Sequence, residues 1–206
     1  MKRIITTAFL LLLSLSLIAC TGSAASSSAS SSASASASAS ADSSSSASAS
    51  SSFQTVGGTG YAFEMDQTWV KEALSANAYM CYPEGKKDVG PFLFIEERRG
   101  YTNLTAQADQ IAYLKELYSK PAVNDRGSQR IRIEYSNIRE ATFGSNAMII
   151  ADYDYYLNDA LDSKGTVVQF FVGADYMVCI SYDVAPDAFS AQKSDIDRLV
   201  NSIKPA

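Results

Sequence analysis

Between Thr21 and Ser52 the chain carries 19 serines and 10 alanines in 32 positions. Alanine favours helix, but serine at alternate positions offers the backbone competing side-chain hydrogen bonds, and the tract has no apolar stripe to bury. Nothing in it repays the entropy of ordering, so a disordered tether is expected. As a flexible coil it spans about 30 Å r.m.s.. The tract divides the sequence into a leader over residues 1–19, a tether over 20–52 headed by Cys20, and a segment from Phe53 to Ala206. Those last 154 residues suffice for one domain with its own core and would crowd two. No internal repeat is visible.

The leader has a basic start at Lys2 and Arg3, then an apolar stretch from Ile4 to Ile18 relieved only by Thr6, Thr7, Ser14 and Ser16. That is shorter than the roughly 20 residues of a comfortable membrane span and has the shape of an export signal. It closes on Leu17-Ile18-Ala19-Cys20, which resembles the bacterial lipobox. The resemblance implies a diacylglycerol thioether on Cys20, cleavage just before it and acylation of the new N-terminus, as with palmitate. Two or more acyl chains anchor a protein where one does not, so the expected location is the extracytoplasmic face of the cell membrane. Thr21 follows, so no Asp stands there to suggest retention at an inner membrane. The alternative is an ordinary secretory signal with an incidental Cys.

No histidine occurs anywhere in the chain, which removes the Ser-His-Asp triad, the Cys-His pair, His-ligated zinc and the His general base. Once Lys2 and Arg3 leave with the leader, 15 of the 17 basic residues remain against 22 acidic ones, a net charge of about −7. Dispersed negative charge of that size repels phosphate backbones, so nucleic acid is not an expected partner.

In the C-terminal segment Tyr61–Met65 alternates as a half-buried strand does. Strands are also expected over Ala76–Tyr82 and Phe92–Ile95, with Trp69 just beyond a turn at Asp66-Gln67. The period then becomes helical, with Leu104, Ala108, Ile111, Leu114 or Lys115, and Tyr118 on one face, Thr102, Asn103 and Thr105 as caps, and Pro121 beyond the end. A polar loop through Asp125-Arg126-Gly127 leads to strands over Ile131–Tyr135 and Ala147–Leu157, the latter turning at Leu161–Gly165. Thr166–Val172 and Tyr176–Val184 form a hairpin about Gly173-Ala174-Asp175. Phe189, Ile196, Leu199, Val200 and Ile203 mark a final helix entered through Pro186-Asp187. The order βββ-α-ββββ-α predicts an α+β domain with a mostly antiparallel sheet of six or seven strands.

Residues 60–204 resemble the PsbP-like group, which holds the lumenal photosystem subunit of that name, a Ran-binding nuclear transport factor and many bacterial lipoproteins. The carrying residues are Tyr61-Ala62-Phe63, Trp69, the single mid-chain helix, the four-strand run with its Tyr-rich third element, and Ile196-Asp197-Arg198-Leu199-Val200-Asn201-Ser202-Ile203. Members often have Pro ahead of the Trp, where this chain has Met65-Asp66-Gln67-Thr68. The resemblance implies an α/β/α sandwich and a binding role, and it supplies no catalytic residue.

Cys81 and Cys179 are the thiols left after lipidation, and outside the cytoplasm they either pair as a disulfide or stay buried as small apolar residues. Neither serves as a nucleophile without an activating base. Asp152 and Asp154 share a strand face, followed by Asn158, Asp159 and Asp162. They are weak candidates for Ca²⁺ ligation, but the spacing is not an EF-hand, and a solvated strand end is the plainer reading; no metal and no cofactor is expected. Tyr153, Tyr155, Tyr176 and Tyr182, with Trp69, are either cross-strand packing or an aromatic binding surface. The expectation is a non-catalytic, membrane-anchored binding or adaptor lipoprotein whose partner is an envelope protein or a small ligand. A carboxylate-dependent hydrolase using Asp152 or Asp154, and an accessory subunit of an envelope complex, are the alternatives.

Overall fold

The computed structural model describes residues 52–206; the leader, Cys20 and the tether lie outside the described residues. Five strands precede the first helix: β1 (Phe53–Gly58), β2 (Tyr61–Asp66), β3 (Trp69–Ser75), β4 (Ala78–Pro83) and β5 (Phe92–Arg99). After α1 (Gln107–Tyr118) come β6 (Ala122–Arg126), β7 (Gln129–Phe143), β8 (Asn146–Leu157), β9 (Ala160–Phe171) and β10 (Tyr176–Val184), and α2 (Phe189–Ser202) follows. β3 to β10 form one antiparallel sheet in the order β3-β4-β5-β10-β9-β8-β7-β6, and β1 pairs with β2 as a separate hairpin. The fold is α+β and mostly antiparallel, as the sequence predicts.

The domain has ten strands, eight of them in the main sheet and two in the separate hairpin, where the sequence predicts six or seven in all. β1, β3 and β6 are the additions. β3 reads WVKEALS and ends the sheet, with most of its side chains exposed, so no alternation marks it. β6 is short and polar, AVNDR, at the other end, where a loop is expected. The β8–β9 connection also moves: Leu157 faces Ala160 in register, so the turn is Asn158-Asp159, with φ of 52° and 63°. Asn and Asp tolerate that left-handed region. The predicted caps are replaced as well, since the N-cap of α1 is Ala106, which makes no side-chain capping bond.

β10 sits at the centre and is buried at all nine positions. A strand apolar on both sides needs a cover on both sides of the sheet. On one side α1 packs against β7 and β8, enclosing Leu114, Tyr118, Ile131, Ile149, Phe171 and Met177. Gln110, buried on α1, donates to the carbonyls of Leu104 and Gly173 at 3.0 and 3.2 Å and accepts from the Ala147 amide at 3.0 Å. One side chain thus ties the helix to both flanking turns. On the other side α2 and the β1–β2 hairpin share the cover, burying Tyr61, Phe63, Phe170, Ile180, Ile196 and Leu199. The tail beyond α2 closes this layer, because Ala62 and Lys204 exchange two backbone hydrogen bonds at 2.9 Å.

Gly165 on β9 is required by packing. A Cβ there would stand 2.2 Å from the Tyr182 carbonyl oxygen and 2.4 Å from the Tyr153 ring, and a backbone oxygen in a central ladder cannot withdraw. Gly165→Ala is predicted to destabilise the domain by at least about 2 kcal/mol, read as a lower urea midpoint at unchanged slope.

Candidate functional site

β10 and α2 bring together residues that are far apart in the chain. Tyr182, near the end of β10, points to the α2 side of the sheet and meets Trp69, the first residue of β3, with ring centroids 5.6 Å apart and tilted at 41°. The Tyr182 hydroxyl donates to Gln192 Oε1 on α2 at 3.0 Å. Gln192, Asp195 and Arg198 follow at intervals of three on α2, so they line one flank of the helix. Between that flank, the end of β2 and the start of β3 lies a groove of about 270 Å³.

The groove is aromatic at its base and charged at its rim. Phe53, Trp69, Tyr182 and Leu199 contribute apolar surface, while Glu64, Asp66, Asp195 and Arg198 contribute charge. Arg198 is engaged twice, pairing with Asp195 and lying 4.4 Å over the Phe53 ring. Asp66 accepts from the Thr68 amide at 2.9 Å and from its hydroxyl at 2.8 Å. Those bonds hold its carboxyl below the usual carboxylate range, so it is ionised at neutral pH. Gln54 fixes the geometry from β1, donating to the carbonyls of Asp66 at 3.3 Å and Trp69 at 3.1 Å.

Of the aromatic residues singled out in the sequence, the structure unites only Trp69 and Tyr182. Tyr176 is on the same face of β10 but at its far end, where Arg99 lies 4.6 Å over its ring. Tyr153 and Tyr155 are buried on the opposite face of the sheet, under α1. Register explains the split: Asp152 pairs with Thr166 and Thr166 with Tyr182, whereas Tyr153 pairs with Gly165 and Gly165 with Asp183. The five residues therefore do not form one platform.

Cys81 and Cys179 are both buried and free. The candidate disulfide is corrected by the pleat: β5 separates their strands, and Cys81 belongs to the core under α2 while Cys179 belongs to the core under α1. Side chains on opposite faces cannot join. Burial pushes each thiol up to about 12, away from nucleophilic use. Asp152 accepts from Thr166 at 2.6 Å and Asn137 at 3.0 Å, and Asp154 pairs with Lys164 at 2.9 Å. Both carboxylates are thus held by neighbouring strands. Among the described residues no group of three or more acidic or thiol side chains is placed to hold a metal.

Sequence reasoning passed over one buried acid. Asp183, inside the apolar run of β10, accepts from Ser163 at 3.2 Å, and burial raises its carboxyl to about 7 against the opposing effect of the Ser163 and Tyr153 hydroxyls. An ionisable residue within a continuous apolar strand was the available signal. It lies on the α1 side of the sheet, away from the groove.

No family model and no curated protein matches the chain. Among solved structures, cyanobacterial PsbP (CyanoP) from Synechocystis sp. PCC 6803 superposes with a TM-score of 0.54 at 14% identity, covering 76% of this chain and 94% of that one. The fold is PsbP-like. A Bacteroides thetaiotaomicron VPI-5482 protein is similar at a TM-score of 0.37 and 9% identity, over 71% of this chain and 45% of the other, and no argument rests on it. At 14% identity the likeness describes the backbone of the PsbP-like domain, so the groove must be interpreted from its own residues.

Because Asp183 titrates near 7 when folded and near 3.9 when unfolded, the native state holds the extra proton between those values. Its contribution to stability is greatest at the acid end and is lost as pH rises from about 4 through 7. Asp183→Asn keeps an acceptor for Ser163 and removes the proton. Melting temperature measured from pH 5 to 8 is predicted to fall less in Asp183→Asn than in the parent; parallel curves would contradict this.

Proposed function

We propose that the chain is a membrane-anchored extracytoplasmic binding or adaptor lipoprotein without catalytic activity, which presents the Trp69–Tyr182 groove to an envelope protein. The observation that carries the reading is the groove's place in the chain. Phe53, the first residue of β1, lines it, and the Ser/Ala tract runs from Cys20 up to that residue. The binding surface thus sits at the end of the domain where a lipid-anchored tether would join it. Reach of about 30 Å r.m.s. would let the domain sample partners near the bilayer.

Chemistry favours binding over hydrolysis. Without histidine, an acyl- or phosphoryl-transfer site would lean on carboxylates. The two candidates, Asp152 and Asp154, are instead bonded to Thr166, Asn137 and Lys164. Trp and Tyr side chains, by contrast, supply contact area at low entropic cost.

Mass spectrometry of the protein from its native membrane is predicted to find a chain beginning at Cys20 with a diacylglycerol thioether. In the same cells, benzoylphenylalanine at Gln67, beside the groove, should give a discrete photo-adduct that is absent when the label is at Ala160, the first residue of β9. A mature chain beginning elsewhere, or identical adducts from both positions, would contradict the proposal.

A further inference from the structure

The charge of the groove lining is unbalanced in one direction. Among the described residues its lining carries three acidic side chains and one basic one, Arg198, which is already paired with Asp195. Glu64 and Asp66 make no ion pair within contact distance among the described residues, and the Thr68 bonds, with a smaller contribution from the Arg198 charge, hold the Asp66 carboxyl low. Beside them stands the Trp69 ring, inclined to Tyr182. An aromatic face next to carboxylates that outnumber the cations around them attracts a further cation by its quadrupole and by simple Coulomb attraction, and Trp is the strongest of the aromatic hosts. A phosphorylated segment or an anionic headgroup would meet two carboxylates, and among the described lining residues the one cation is already paired with Asp195.

Size narrows the occupant further. Ligand pockets for drug-sized molecules run from about 300 to 1,000 Å³, and this groove, at about 270 Å³, lies just below that range and has room for one long side chain. Trp69 also opens β3, the terminal strand of the large sheet; Gln54 already occupies the Trp69 carbonyl, so an extended main chain has a sheet edge to run along beyond that residue.

We infer that the groove docks a basic peptide segment of a partner protein, with one Arg or Lys side chain entering between Trp69 and the carboxylates of Glu64 and Asp66. The inference rests on the binding role proposed above and names the chemistry of the partner. The cation contributes specificity and attraction at low ionic strength, while the aromatic walls hold the methylene stem.

Trp69 is the sole tryptophan of the chain, so its emission reports occupancy directly. The mature lipidated protein in detergent micelles is titrated with acetyl-Ala-Arg-Ala-amide and with the counterpart carrying citrulline, which has nearly the same shape and no charge. A saturable change with the arginine peptide is expected, with binding at least about fivefold weaker for the citrulline peptide and weakened by added salt. Asp66→Asn, which retains an acceptor for Thr68, should reduce affinity for the arginine peptide by a similar factor while the melting temperature stays within a few degrees. Equal affinity for the two peptides would overturn the cation assignment and leave a groove that binds by shape. No saturable response to either would overturn the docking inference, while the position of lipidation, read separately by mass, would still stand or fall on its own.

Discussion

The structure depends on a sheet whose central strand is apolar on both sides. β10 leaves no position exposed along Tyr176–Val184, so burial of one face alone would not release enough apolar surface from water to order the chain. Two covers are required, and the sequence provides unlike ones. α1 alone serves the β7–β8 side, and α2 with the β1–β2 hairpin serves the other. The composite cover creates the groove, because a helix and a hairpin laid side by side on a twisted sheet leave a seam where a single helix would not. Trp69 and Tyr182 fill the base of that seam without closing it.

Much of this was legible in the sequence where hydrophobic period and burial agree. Tyr61–Met65, Phe92–Ile95 and the Thr166–Val184 hairpin about Gly173 are strongly patterned and appear where expected, and Ile196 and Leu199 face the core from α2. Elements at the margins were hidden. β3 and β6 are terminal strands, β3 mostly exposed and β6 short and polar, so their identity comes from backbone pairing with β4 and β7, which side-chain periodicity does not record. Gln110 shows a related failure: a polar residue on the buried side of α1 reads as a flaw in the stripe, yet its amide carries the hydrogen bonds that position the helix.

The groove was half legible. Trp69 and Tyr182 stood out as aromatic residues, but grouping Tyr153, Tyr155, Tyr176 and Tyr182 required knowing that β9 lies between β8 and β10. One intervening strand and a shift of parity place Tyr153 and Tyr182 on opposite sides of the sheet. The same parity argument separates Cys81 from Cys179. The charged rim depends on tertiary placement, since Glu64 and Asp66 come from β2 while Gln192, Asp195 and Arg198 come from α2, and no local pattern links them.

Amide hydrogen exchange of the lipidated protein, compared in detergent and in membranes from its own cell, tests the central claim that this seam is the working surface. The account predicts slowed exchange in the membranes confined to Glu64–Trp69 and to the Gln192–Leu199 flank of α2, with α1 unchanged. Slowing on the α1 side of the sheet, or none in either region, would contradict it.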